Sequence, residues 1–259
     1  IEEVKAQNLS DSRIEESRVR ELNQLSVSYN KMLERLSEAF ETQRQFTANA
    51  AHELRTPLAL MQVQLDLYHS TGHPGNDECA EQTITMATEQ NERLSKMVKT
   101  LLDMSELQTI VRDETIMIAA LVEEVLADLE PLAQEKNIKL IGKCKDITMV
   151  GSDILIYRLV YNLVENAIKY NHSDGQVIVT AERKEKHVHL LVEDTGNGIP
   201  KELRERVFEP FFRVDKSRSR ELGGVGLGLA LVHEIVRTHD GSITVRDNPS
   251  GGTIFEVIF

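Results

Sequence analysis

His52 and Glu53 stand side by side in the run Ala50-Ala51-His52-Glu53-Leu54-Arg55-Thr56-Pro57-Leu58. Around them Ala50, Leu54, Leu58, Met61, Leu65 and Tyr68 recur every three or four residues, the spacing of one apolar helix stripe. At about 100° per residue, His52 lies roughly 200° around from Ala50 and from Leu54, so its ring is expected to face water. Thr56 follows one turn on, near the same line. Pro57 is expected to free a carbonyl and kink the helix. An outward imidazole beside a carboxylate, just before a helix defect, can be presented to another protein's active site. The plain alternative is an ordinary surface histidine.

The second set of reactive residues comes in four boxes between residues 162 and 253. On a helix, Asn162, Asn166, Lys169 and Tyr170 share one side, with Glu165 near it. Amide oxygens are hard ligands suited to magnesium, and an ammonium neutralises phosphate. Asp194-Thr195-Gly196-Asn197-Gly198-Ile199-Pro200 follows a strand-like run. There Asp194 can accept a hydrogen bond from an exocyclic amine, and Gly196 and Gly198 let a ring approach the backbone. Phe208-Glu209-Pro210-Phe211-Phe212-Arg213-Val214-Asp215-Lys216 anchors a loop by its aromatics, and the basic run after it suits a lid over phosphates. Gly223-Gly224-Val225-Gly226-Leu227-Gly228-Leu229-Ala230 opens a helix, where backbone N–H groups bind phosphate. Its spacing is neither a dinucleotide fingerprint nor a P-loop. Gly251-Gly252-Thr253 then starts the last strand.

These groups need a scaffold, and the pattern supplies two. Leu22, Leu25, Tyr29, Met32, Leu33, Leu36 and Phe40 carry a narrow apolar seam that runs, without Gly or Pro, into the His52 helix. Thr71-Gly72-His73-Pro74-Gly75-Asn76-Asp77 reads as a turn. Beyond it Ala80, Ile84, Ala87, Asn91, Leu94, Val98, Leu101 and Ser105 step as a heptad seam. One antiparallel helical hairpin buries too little to stand alone, so it is expected to dimerise into a four-helix bundle. After Leu107–Asp113 strands and helices alternate. Strands are expected at 115–118, 138–141, 176–183, 187–193, 242–245 and 253–259, and helices at 120–135, 153–170 and 225–239. This is an α+β two-layer sandwich with helices on one sheet face. The expected domains are a linker over 1–38, a dimerisation domain over 39–110 and a nucleotide domain over 111–259.

Composition removes other classes. A net charge of −12 leaves no basic stripe for nucleic acid. Cys79 and Cys144 lie in no CxxC context, so neither a disulfide framework nor structural zinc is expected. His187 and His189, two apart on a strand, are weak candidates for metal ligands, with no third one near. No apolar run is long enough to span a membrane, and a start without Met suggests a piece of something longer.

Taken together, the boxes resemble the sensor histidine kinases, over about residues 38–259: a dimerising phosphoacceptor domain followed by a Bergerat-fold (GHKL) ATP-binding domain. Residues 1–38 resemble the end of a HAMP linker, with Arg20 before Glu21 where that family often has Asp. The resemblance implies that His52 is phosphorylated on a ring nitrogen. It implies that Glu53 is its base or orienting acid, and that Thr56 orients water to hydrolyse a phospho-aspartate on the partner. It implies ATP and Mg2+ as cofactors, with Asn166 as the metal ligand and Asn162 in support. Lys169 and Tyr170 would contact phosphate and nucleotide, and Asp194 the adenine amine. Gly196, Gly198, Gly224, Gly226, Gly228, Leu229 and Thr253 would bound the nucleotide. The implied partners are a second copy of the chain, as a homodimer, and the receiver domain of a response regulator. The parent protein would carry a membrane-spanning sensor region, with this part on the cytoplasmic side. Val225 departs from the usual Thr between those glycines, and Asp240 from a frequent Gly. The nucleotide boxes fit a GHKL ATPase clamp equally well, but the His52 motif on a dimerising hairpin does not; the intact Asn166, Asp194 and glycine set argues against a dimer scaffold that has lost catalysis.

Overall fold

The computed structural model describes residues 20–70, 77–107, 109–215 and 224–259. The first part of the expected linker, nearly all of the 71–77 turn and the basic run from Lys216 lie outside them. The chain divides into two compact units, Ile1–Ser70 and Thr71–Phe259.

In the first unit, helix α1 spans Arg20–Ser70. It holds no glycine, and it runs through Pro57 without a break. One proline deletes a single i→i−4 bond, and the neighbouring turns carry on. Ala50, Leu54, Met61 and Tyr68 are half-buried as the stripe requires, whereas Leu58 and Leu65 are exposed. Upstream, Leu33 is buried and Leu25, Met32, Leu36 and Phe40 are exposed.

The second unit opens with α2, Asp77–Glu106. Its seam splits: Ala80, Ala87, Leu94 and Leu101 are half-buried, while Ile84, Asn91, Val98 and Ser105 are exposed. The rest is β1 (Glu114–Met117), α3 (Ile118–Glu135), β2 (Lys139–Cys144), β3 (Thr148–Gly151), α4 (Asp153–Lys169), β4 (Gln176–Lys184), β5 (His187–Asp194), α5 (Gly228–Thr238), β6 (Ser242–Asp247) and β7 (Thr253–Ile258). Two short 3-10 turns, Lys201–Leu203 and Arg206–Phe208, lie between β5 and α5. Strands form a five-stranded sheet in the order β2-β4-β5-β7-β6, parallel only between β2 and β4, and β1 pairs antiparallel with β3. The β1–β3 ribbon was not expected, because β3 is too short to display a period of two. α5 begins at Gly228 instead of Val225, since Gly226 sits at φ +81 and cannot continue a helix backward.

α3, α4 and α5 join the sheet in one core. Val177, Val179 and Ala181 on β4 alternate inward with Val188, Leu190 and Val192 on β5 and with Phe255 and Val257 on β7. α4 adds Leu155, Ile156, Leu159, Val160, Leu163 and Ile168, each at most 1 % exposed. Side chains of this kind stabilise by about 1.5–3 kcal/mol each when buried, so apolar burial dominates and the polar contacts at the helix ends decide its position.

Those contacts are specific. At the start of α4, the Asp153 N–H donates to Glu114 Oε2 (2.9 Å) and the Ser152 N–H to His239 Nε2 (3.3 Å). At its end, Lys136 Nζ donates to the carbonyls of Ile168 (3.3 Å) and Lys169 (2.6 Å), complementing the helix dipole. His239 Nδ1 lies 2.9 Å from the Ile235 carbonyl, so Nδ1 carries the proton and Nε2 accepts. Burial, with Arg112 nearby and Asp240 opposing, holds the His239 pKa below its ordinary value. The neutral ring therefore belongs to the folded state. Its contribution is complete above the unfolded pKa of about 6.5 and is lost as pH falls from there toward the lowered folded value. The stability difference between wild type and His239→Gln, from denaturant melts, should shrink between pH 7.5 and 5.5. A constant difference across that range would contradict the assignment.

Candidate functional site

α1 carries the first set of residues. His52 is exposed, and Glu53 and Thr56 are half-buried. The Thr56 hydroxyl donates to the His52 carbonyl at 3.2 Å. His52, Arg55, Thr56, Ala59, Leu60 and Val63 line a shallow hollow on this helix. Leu60 is 48 % and Val63 59 % exposed, so apolar surface sits beside the ring. These flanking apolar positions carry no chemistry and were not singled out in the sequence.

The second set converges on a cavity of about 270 Å³ in the other unit. Asn162, Asn166, Lys169 and Tyr170 from the last turns of α4 and the residue after it, Asp194 at the end of β5 and Gly198 beyond it, Gly224, Gly226, Gly228 and Leu229 at the start of α5, and Thr253 on β7 all line it. Gly196 does not line it but packs underneath, where a Cβ would lie 2.4 Å from the Tyr170 carbonyl.

Strand alternation puts Asp194 on the same face as Val188, Leu190 and Val192, so its carboxylate stands where an apolar side chain would normally go. It is 8 % exposed. Oδ1 accepts the backbone N–H groups of Gly196 (2.8 Å) and Thr253 (3.1 Å). Burial raises the carboxyl pKa above its ordinary value, against the opposing pull of those bonds.

Glu165 is the second buried carboxylate. Lys169 Nζ lies 3.1 Å from Oε1, and Lys96 Nζ from α2 lies 2.5 Å from the same atom. Burial alone would raise this carboxyl, but the two ammonium groups outweigh it and hold it below its usual value. Burial, helped by Lys96, lowers Lys169 despite Glu165. Arg158, seven residues before Glu165, pairs at 2.9 Å with Asp103, seven after Lys96. Two pairs of opposite polarity thus fix α2 against α4 in one antiparallel register, and Lys96 and Thr100 join the cavity wall. The sequence reading missed this contribution of α2, for which the matched seven-residue charge spacing was the available signal.

The aromatic box closes over the glycine box. The Phe211 N–H donates to the Gly226 carbonyl at 2.8 Å, and Arg213 Nη2 to that of Val225 at 3.2 Å. A Cβ at Gly226 would lie 2.7 Å from the Phe212 carbonyl oxygen. Phe208 meets Phe255 edge-on, and the Arg206 guanidinium lies over the Phe212 ring.

Among the described residues no group of three His, Cys, Asp or Glu side chains could hold a metal ion. His189 instead faces Glu256 at 3.2 Å. The Asn166 amide oxygen is a hard donor that fits magnesium as a single protein ligand, the usual state when phosphates and water supply the rest. Among the same residues no helix is long and apolar enough to cross a membrane.

Comparison with known proteins agrees with this anatomy. Residues 42–110 match the His Kinase A (phospho-acceptor) domain, and residues 151–259 the histidine kinase-, DNA gyrase B-, and HSP90-like ATPase. The signal transduction histidine-protein kinase ArlS of Staphylococcus haemolyticus is 32% identical over 243 residues, covering 92% of this chain and 53% of that protein. ArlS of Staphylococcus aureus is 31% identical over 249 residues, with the same coverage. The chain thus spans about half the length of these relatives. Among solved structures, the Acinetobacter baumannii histidine kinase AdeS superposes with a TM-score of 0.65 at 26% identity, over 80% of this chain and 96% of that one. The histidine kinase ThkA in complex with response regulator protein TrrA gives 0.70 at 24% identity, over 94% of this chain and 67% of that one, and shows the shared fold. The chain belongs to the sensor histidine kinases, with a phosphoacceptor domain and a GHKL ATPase domain.

Asp194→Asn keeps an oxygen for both backbone donors and replaces the anion with an amide. A carboxyl raised in the folded state opposes folding at neutral pH, and that opposition fades as pH falls through the raised value. The variant should melt no lower than wild type at pH 7, with its advantage shrinking at acid pH. ATP affinity by calorimetry should fall about 10- to 100-fold, the worth of a hydrogen bond to a charged acceptor. Unchanged affinity would remove Asp194 from the binding site.

Proposed function

We propose that this chain transfers the γ-phosphoryl group of ATP to His52 and then to an aspartate of a response regulator receiver domain. The observation that carries the reading is an exposed His52 in a phosphoacceptor domain, in the same chain as a cavity lined by all four nucleotide boxes. Asp194 accepts the adenine amine, Lys169 and the N–H groups at the start of α5 hold phosphate, and Asn166, supported by Asn162, holds magnesium. The metal, when bound, neutralises charge on the transferring phosphoryl group. In the first step the bond between the γ-phosphorus and the bridging oxygen breaks, ADP leaves, and a nitrogen–phosphorus bond forms at the imidazole. Glu53 orients the ring or takes its proton. In the second step that bond breaks as an oxygen–phosphorus bond forms on the regulator's aspartate, whose domain docks on the apolar hollow beside His52. Thr56 then orients the water of a phosphatase reaction that resets the regulator. The ThkA–TrrA complex supports such a partner by analogy. The parent protein carries a membrane-spanning sensor region, and this part works on its cytoplasmic side.

His52→Gln incubated with γ-labelled ATP and magnesium should lose all acid-labile protein phosphate while ATP binding persists. Label that survives the substitution would sink the site assignment, and an unlabelled wild type would favour an ATPase clamp.

We also infer that the chain is a homodimer, because Ile84 and Val98 in the α2 seam are 66 % and 45 % exposed. Seam positions of this type pack against a second hairpin in a four-helix bundle. Ile84→Glu combined with Val98→Glu should sediment as a monomer. A double variant that still sediments as a dimer would move the interface elsewhere.

A further inference from the structure

One side chain ties the turn between β6 and β7 to Asp194. Asn248 Nδ2 donates to the Asp194 carbonyl at 2.7 Å, and Asn248 Oδ1 accepts the Ser250 N–H at 3.0 Å. Its backbone closes the same turn, with the Asn248 N–H on Gly252 O (3.2 Å) and the Gly251 N–H on Asn248 O (2.9 Å). The β5–β7 ladder ends with Glu193 opposite Ile254, one residue short of Asp194 and Thr253. The outer strands hold each residue separately, Asp194 opposite Val177 on β4 and Thr253 opposite Asp247 on β6, but the β5–β7 register does not set the two against each other. The turn lies directly on Asp194: Gly252 sits at φ +94, and a Cβ there would be 2.3 Å from the Asp194 carbonyl oxygen. The Thr253 N–H that binds the carboxylate leaves the same turn. Asn248 itself does not line the cavity.

We propose that Asn248 is a positioning residue, which sets the aim of the Asp194 carboxylate and so the selectivity of the site for a purine bearing an exocyclic amine. The proposal rests on the reading of Asp194 as the acceptor of that amine. The residue type follows from the two tasks. Shaping the turn needs a short side-chain acceptor, which Asp or Ser would also supply. Holding the Asp194 carbonyl needs a donor at the other end of the same group, and an amide offers both. With the donor gone, Asp194 keeps its two backbone N–H bonds, but the turn that carries one of them is no longer fixed to its main chain.

The test compares ATP with purine riboside triphosphate, which has the same phosphates and sugar and no exocyclic amine. Both are titrated with magnesium into the full chain as wild type, Asn248→Asp and Asn248→Ala. Asn248→Asp keeps the acceptor that shapes the turn and loses the donor; Asn248→Ala loses both. The expected result is an ATP affinity lowered about tenfold in each variant, the upper range for one hydrogen bond, with the affinity for the amine-free nucleotide nearly unchanged. The preference for ATP then collapses while thermal melts stay cooperative. A wild type that prefers ATP, with either folded variant keeping the same preference, overturns the role of Asn248 alone. Equal losses for both nucleotides do so too, because they mark a general loosening of the site. A wild type that binds the two nucleotides equally removes the reading of Asp194 and this proposal with it.

Discussion

A carboxylate kept ionisable inside a protein core is the constraint around which the nucleotide half of this chain is built. Removing such a group from water costs several kcal/mol even after the surroundings relax. Each hydrogen bond it accepts returns about 1.5–3 kcal/mol. Asp194 receives two backbone N–H groups at Oδ1, which offsets the cost only in part, and its raised pKa is the remainder. Much of the local architecture follows. The chain must turn at once after β5 so that the Gly196 N–H can fold back. β7 must begin beside Asp194 so that the Thr253 N–H can reach it. The turn before β7 must come so close that Gly252 has no room for a side chain. A residue that opposes folding at neutral pH is best understood as one retained for binding.

The partner constraint falls on α4, which is a core helix on one side and a wall of the cavity on the other. Its apolar face supplies most of the stabilisation, and its polar residues inherit a fixed position from it. Glu114 and His239 at one end and Lys136 at the other set its place along the axis. The Lys96–Glu165 and Arg158–Asp103 pairs set its register against α2. Lys96 is half-exposed, so the Coulomb energy of its pair is modest and sensitive to salt. Its weight lies in geometry: it places a second cation beside Lys169 on the cavity wall.

What was legible in the sequence had a period or a box. Helices α1 to α4 appeared through three-and-four spacing, β4 and β5 through alternation, and the cavity through residues whose types are odd for a core face, such as Asn162, Asn166 and Asp194. What was illegible had neither. β3 is four residues long. Asn248 stands in a Gly- and Ser-containing turn, where an asparagine is ordinary, and its bond to Asp194 joins residues 54 apart in sequence. Lys96 and Asp103 look like solvated charges until α4 is beside them. Helix α5 starts three residues later than the sequence pattern predicts, because the leucine–glycine alternation imitates a helix start while a positive φ at Gly226 forbids one.

The two steps of the proposed function make opposite demands on solvent, and the two domains meet them separately. Reading a base by one hydrogen bond requires a dry, rigid acceptor, because water would compete for the amine. Handing a phosphoryl group to a second protein requires a nucleophile that protrudes, with apolar surface beside it for docking. Asp194 is 8 % exposed and His52 stands exposed on a long helix, which is the contrast the proposed function requires. Pro57 has no N–H to donate to the carbonyl of Glu53, four residues earlier, yet the helix that displays the ring continues through it.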